Sequence, residues 1–161
     1  NMVAIGPSAA RYDRPIELLL DQAFGADRRQ KTSYRFREDV GPVASLGRVA
    51  LVNDVVVGSI QYWPVTLGTE RALLLGPVAT GPAWTGVGIG SCLILSSLAA
   101  AKTEGWAHVF LVGDPRYYQR FGFRPASEWG VTMADEEQWR LQGKMLGPAP
   151  PPAGELMPLT K

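Results

Sequence analysis

Three glycines at alternate positions in Thr85-Gly86-Val87-Gly88-Ile89-Gly90-Ser91 are the residues of this chain best suited to chemistry. They free the backbone to curl, so that successive N–H groups converge on an anion where a helix begins. A phosphate is the guest such a loop suits. Glycine-rich turns also serve as plain connectors, so the loop's neighbours must decide. Other reactive side chains are few. Cys92, the single cysteine, sits in an apolar run and reads as a small core residue; with no second cysteine there is no internal disulfide. His108, the only histidine, alternates with Phe110 and Val112 on one strand face and reads as a sheet or core residue rather than a base. No metal is expected.

The elements that hold the loop follow from hydrophobic periodicity. Ile16, Leu19, Leu20 and Ala23 recur at helical spacing over Pro15–Phe24, with Gly25 as the stop. A second short helix is expected over Ser33–Glu38, before Gly41-Pro42 breaks the chain. Arg48–Val52 and Val55–Trp63 are rich in β-branched and aromatic residues and meet at Asn53-Asp54, which predicts a hairpin. Pro64 predicts a bend or bulge near the end of its second strand. Ala72–Ala79 is a near-continuous apolar strand interrupted by Gly76-Pro77, so it should be bulged or splayed in the middle. The glycine loop then opens a helix over Ile89–Glu104, ended by Gly105, and a second apolar strand runs over Ala107–Val112. That βαβ order implies a right-handed crossover. A helix started by Pro115 is expected over 115–121, a last strand over Arg140–Leu146, and a turn over Pro148–Pro152.

Composition narrows the function classes. A chain of 161 residues, 46% hydrophobic and 19% charged, suits one globular domain without staples. Its net charge of +1 gives no electrostatic basis for binding nucleic acid. Arg28, Arg29, Lys31, Arg35 and Arg37 cluster, and read as a solvated face. No run reaches the roughly 20 apolar residues of a membrane span, and the first residues lack the basic and apolar regions expected of a signal peptide. No membrane partner and a cytoplasmic location are therefore expected. Asn1, ahead of Met2, reads as a tag remnant, so the domain is expected over residues 2–161.

A dinucleotide site is one rival reading. Gly86, Gly88 and Ser91 approach G-x-G-x-x-G/A, and Asp114 could mimic the ribose-binding acid. Against it, Thr80–Thr85 with Pro82 separate the strand from the first glycine, and too few residues remain for a second βαβ half.

The segment as a whole resembles the GNAT superfamily of N-acetyltransferases, whose acetyl-CoA motif is Arg or Gln, two residues, Gly, one residue, Gly or Ala. That motif falls on Thr85-Gly86-Val87-Gly88-Ile89-Gly90, preceded by Gly76-Pro77-Val78-Ala79-Thr80-Gly81-Pro82, which is similar to the family's splayed strand and loop proline. Gly113-Asp114-Pro115-Arg116-Tyr117-Tyr118-Gln119-Arg120-Phe121-Gly122-Phe123 is similar to its terminal helix and Tyr, three residues, Gly-Phe pattern. The likeness covers Leu73–Phe123 and is nearest to a bacterial branch of predicted acetyltransferases with unassigned substrates.

The resemblance implies an α/β (α+β) fold in one domain: a mixed, mostly antiparallel sheet, splayed at the acetyl-CoA strand and flanked by helices. It implies acetyl-CoA as cosubstrate and direct attack by a primary amine of a small molecule or peptide. The cosubstrate would lie on Val78, Ala79 and Thr80, on the loop from Thr85 through Gly86, Val87, Gly88, Ile89, Gly90 and Ser91, and on Tyr117, Tyr118 and Phe121. It further implies that the Val78 amide holds the oxyanion and that Tyr118 is the general acid. Leu74 stands where some members carry a glutamate base, which leaves Glu70, at the strand entrance, or an ordered water. Tyr62, Trp63 and Trp84 are candidates for the acceptor pocket. Thr85 and Val87 replace longer or basic residues, so weaker CoA binding is expected. A non-catalytic acyl-CoA sensor of the same fold is the second reading, and a homodimer stays open.

Overall fold

In a computed structural model of the protein, residues 2–25, 27–28, 36–37 and 40–159 are described. The elements in chain order are β1 (Ala4–Pro7), α1 (Asp13–Phe24), β2 (Arg48–Val52), β3 (Val55–Leu67), β4 (Glu70–Thr80), α2 (Ile89–Thr103), β5 (His108–Val112) and α3 (Pro115–Tyr118). They are followed by β6 (Arg124–Pro125), β7 (Val131–Thr132), β8 (Leu141–Met145) and β9 (Gly154–Pro158). The sheet runs β1-β2-β3-β4-β5-β8-β6, with β9 on β3 and β7 on β9. All neighbours along that order are antiparallel except β4 and β5. Helices cover both faces, so the fold is the mixed, helix-flanked α/β sheet that the motifs imply.

The hairpin turns where expected. Asn53 and Asp54 both take positive φ, +49° and +64°, the pair of left-handed residues that matches the twist of two antiparallel strands. β3 continues past Trp63 to Leu67, however: Pro64 does not end it, and its pairing with β4 stays in register from Tyr62 to Leu67, the one irregularity falling between Ile60 and Tyr62. The reason is on its far edge. β2 covers β3 up to Ile60 and β9 covers it from Val65; between them the Tyr62 carbonyl accepts from Val43 N–H at 2.8 Å. Alternation then turns the nitrogen of Pro64 to the same uncovered stretch, where a missing N–H breaks no ladder bond.

α1 starts at Asp13, two residues earlier than its periodicity suggests, and buries Ile16, Leu19 and Leu20 against Val49 and Ala79. On the opposite face α2 buries Ile89, Leu93, Ile94 and Leu98 against Ala50, Ile60 and Tyr62. Gly105, at φ +90°, ends it: Gly105 N–H bonds to Lys102 and Trp106 N–H to Ala101, each at 3.1 Å, the paired closure that a left-handed residue allows. Cys92 is exposed, not in the core, because it lies on an outward stripe of α2 with Leu95, Ala99 and Lys102. The strand at Leu141–Met145 is not the last, since β9 returns to β3. The helix expected over Ser33–Glu38 lies outside the described residues, apart from Phe36 and Arg37. Among the described residues no helix is long and apolar enough to cross a membrane.

Candidate active site

β4 and β5 run together for only two residue pairs, Leu73 with Val109 and Leu74 with Phe110. Past them β5 stays with β8 through Val112, while β4 stays with β3 through Thr80. A V-shaped gap therefore opens between the two parallel strands. Gly76-Pro77 sits at its root: Leu75 faces Tyr62 and Val78 faces Ile60, so Gly76 and Pro77 together oppose the single residue Gln61. This is the bulge expected from the sequence. Gly76 has φ +129° and its bond to Pro77 is cis. The Trp63 indole N–H donates to the Gly76 carbonyl at 2.7 Å.

The register says which amides face the gap. Gly81 N–H bonds to the Val57 carbonyl of β3 at 2.8 Å. In an antiparallel ladder, alternate residues point their N–H and C=O to the same neighbour, so Ala79 also turns its polar groups to β3. Val78 and Thr80 turn theirs the other way, into the gap. Ala79 contributes a buried side chain under α1.

The glycine loop follows β4 and leads into α2 on the opposite face from α1, with Ile89 against Gly58 of β3 and Gly90 beside the Tyr117 hydroxyl. Gly86 and Gly88 have φ +79° and +87°, and Gly88 is the cap residue of α2. Cys92 is the first residue of α2 whose N–H reaches back to a carbonyl, that of Gly88 at 3.1 Å. The amides of Ile89, Gly90 and Ser91 are thus the free donors of a helix start. The Ile89 side chain is buried and anchors the turn, filling the space that a Cβ on Gly58 would take, 2.9 Å from its Cγ2. Thr85 directs its hydroxyl back to the Pro82 carbonyl at 3.2 Å, and Val87 is exposed. Neither brings charge to the loop.

Gly113-Asp114-Pro115 places the tyrosines. Asp114 accepts from Arg116 N–H at 2.9 Å and caps α3, whose first residue is Pro115. A Cβ on Gly113 would stand 2.6 Å from Cε2 of Tyr118, so the ring lies directly on this glycine. Tyr117 and Tyr118 meet edge to face at 4.9 Å, and Tyr118 packs on Phe123 at 5.9 Å. Phe121 is buried and supports Tyr117 edge-on at 5.4 Å. The Tyr117 hydroxyl reaches the first turn of α2, 3.2 Å from where a Cβ on Gly90 would be. Burial, and next the charge of Tyr117, push the Tyr118 phenol up to about 12, so it stays protonated.

Several other candidates lie elsewhere. Tyr62 is on the α2 face, fully buried, its hydroxyl 2.7 Å from that of Ser97, and so cannot line an acceptor pocket on the α1 face. Trp84 packs against the core beneath α2. Glu70 is eight residues from Val78, roughly 26 Å along an extended strand, and Leu74 is buried. His108 is buried and its Nε2 pairs with the Ala149 carbonyl at 2.8 Å. Arg28, read as part of a solvated face, is buried between Glu17 and Asp21, with Asp21 at 2.9 Å. Trp63 does face a cavity of about 350 Å³ between α1 and β3, together with Asp13, Glu17, Arg37 and Gln61. Gln61 is the residue opposite the bulge.

A mixed sheet parted between two parallel strands, with a glycine loop opening the helix that joins them, is the frame of an N-acetyltransferase. The chain belongs to the acetyltransferase (GNAT) family, whose model matches residues 14–123. It is 32% identical over 115 residues to the uncharacterized N-acetyltransferase YhbS of Escherichia coli strain K12, covering 70% of this chain and 68% of that one. Another relative, the uncharacterized N-acetyltransferase YjhQ of the same strain, is 28% identical over 110 residues, 66% of this chain and 61% of that one. Among solved structures, Escherichia coli YhbS in complex with CoA superposes with a TM-score of 0.82 at 24% identity, covering 96% and 88% of the two chains. A GNAT family acetyltransferase from Brucella melitensis in complex with acetyl-CoA gives 0.74 at 25% identity, covering 97% and 95%.

Proposed function

We propose that the protein transfers the acetyl group of acetyl-CoA to a primary amine by direct attack, with the thioester held in the gap between β4 and β5. One observation carries the reading: the amides of Val78 and Thr80 face that gap, while Tyr118 lies on Gly113 at the end of β5 and Tyr117 reaches the first turn of α2. The pantetheine amides then pair with β4 as a surrogate strand. The pyrophosphate lies on the amides from Gly86 to Ser91 at the helix start. The Val78 N–H donates to the thioester oxygen as it gains charge.

The acceptor enters from the α1 side, through the cavity lined by Trp63 and Gln61. Its neutral nitrogen forms the N–C bond, the carbonyl oxygen takes up the electron pair, and collapse breaks the C–S bond. Nitrogen loses one proton and the CoA sulfur gains one. Tyr118 does not supply that proton outright: from a phenol at about 12 to a thiol near 8.5, transfer is uphill by about 3.5 units, or about 5 kcal/mol. It donates a hydrogen bond to the departing thiolate, and the nitrogen provides the proton. With Leu74 apolar and Glu70 remote, water relays the proton from the amine.

Thiol release from acetyl-CoA is measured with a panel of primary amines and N-terminal peptides. Tyr118→Phe is expected to lower kcat about 100-fold with KM for acetyl-CoA nearly unchanged. Calorimetric binding without turnover of any amine would replace the enzyme reading with a non-catalytic acyl-CoA sensor. Absence of binding removes both.

A further inference from the structure

In an uninterrupted ladder the carbonyl of Gly76 would be taken by β3; at the bulge, two residues share one partner and it is not. It lies between buried Leu75 and half-buried Pro77, and a carbonyl in such a place needs another donor. The Trp63 indole supplies one at 2.7 Å, from the α1 face. That indole cannot drift. It is only 9% exposed, packs in one cluster with Val65, Leu74 and Phe110, and carries the Arg37 guanidinium 5.4 Å above its ring. The peptide unit whose oxygen it holds adjoins the unit that carries the Val78 N–H. Pro77 alone joins them, with its φ locked by the ring.

We propose that Trp63 is a positioning residue for acetyl transfer: its N–H pins the Gly76 carbonyl outside the ladder and thereby aims the Val78 amide at the thioester oxygen. The inference rests on the reading of Val78 as oxyanion donor. Complete loss of such a donor lowers kcat roughly 100- to 1,000-fold, so a misaimed one lowers it about 10- to 100-fold.

Site-specific replacement of Trp63 by 3-benzothienylalanine exchanges the N–H for sulfur at nearly constant shape, and 5-fluorotryptophan at the same position keeps the N–H. The sulfur isostere is expected to fold with a Tm near the parent's and to lose kcat by that factor, while KM for acetyl-CoA changes less than about threefold. The fluorinated variant, which keeps the N–H, is expected to restore most of the kcat that the sulfur isostere loses; an equal loss in both overturns the proposal. Parent kcat in the sulfur isostere overturns the proposal, and so does a loss confined to Tm or KM. If the isostere does not fold, Trp63→Phe is judged by the same readouts, and failure of both to fold assigns Trp63 a purely structural role. A parent protein that turns over no amine sinks acetyl transfer itself, a result distinct from an active sulfur isostere.

Discussion

Gly113→Ala tests the placement of Tyr118 without touching the tyrosine. The added Cβ would stand 2.6 Å from Tyr118 Cε2, 3.1 Å from Cδ2 and 3.4 Å from Leu111 Cδ1. Carbon atoms rest about 3.5–4.0 Å apart, so the ring must retreat by about 1 Å. It has little room, with Tyr117 at 4.9 Å and Phe123 at 5.9 Å. Overpacking of this kind costs about 1–3 kcal/mol, which in a domain of this size lowers Tm by roughly 2–12 °C. The protein stays folded at assay temperature. Turnover is the sharper readout, because a 1 Å misplacement of a reacting group costs about 100-fold. Steady-state thiol release should show kcat falling toward that of Tyr118→Phe with KM for acetyl-CoA nearly constant. The double variant should be no slower than the slower single one, since both act through one hydroxyl. Parent-like kcat in folded Gly113→Ala, or losses that multiply in the double variant, would refute the reasoning.

Two further outcomes are expected. Gly88→Ala puts a Cβ into open space but on a residue with φ +87°; the left-handed conformation costs about 1–2 kcal/mol. Calorimetric affinity for acetyl-CoA should drop about 5- to 30-fold, with kcat at saturation close to the parent's. An unchanged dissociation constant together with an unchanged Tm, meaning that the loop relaxed without consequence for the ligand, would exclude the loop as the cradle. Tyr118 is raised to about 12, and burial also raises Tyr62. Below pH 10 the folded and unfolded chains hold these protons alike. Between pH 10 and 12 the unfolded chain ionises first, so stability is lost as pH rises. The Tyr118 share is on the order of 2–3 kcal/mol. Urea midpoints at pH 9 and pH 11 should differ, and Tyr118→Phe should narrow the difference; equal narrowing by Tyr12→Phe, at the half-buried tyrosine packed beside α1, would contradict the assignment.

What could be read from the chain alone was local. Asn53-Asp54, Gly76-Pro77, the glycine loop and the Gly105 stop each state a backbone requirement within two or three residues, and each appears where those residues stand. What escaped depends on partners distant in sequence. β9 exists because β3 has an uncovered edge 91 residues earlier, as the Thr66 to Met157 contact shows. Pro64 fits a long strand only because that same edge is interrupted. Arg28 is buried because Glu17 and Asp21 on α1 receive it, a pairing no charge count reveals. Of the adjacent aromatics Tyr62 and Trp63, one went under α2 and the other to the α1 face. Strand alternation predicts that they part, but not which faces the cavity. The indole on Gly76 leaves no mark in a linear motif.

The sheet's outermost strands bear on how copies of this chain meet. β1 is four residues long and ends in Pro7; β6 is two residues long and ends in Pro125. Short edges closed by proline offer few donors for a foreign strand to zip onto, a common safeguard against edge-to-edge aggregation. Continuation of the sheet from one copy into the next is therefore disfavoured at these two strands; β7, the outer strand beyond β9, is only two residues long. Contacts between copies of this chain are thereby steered away from β1 and β6 and toward helix surfaces and loops.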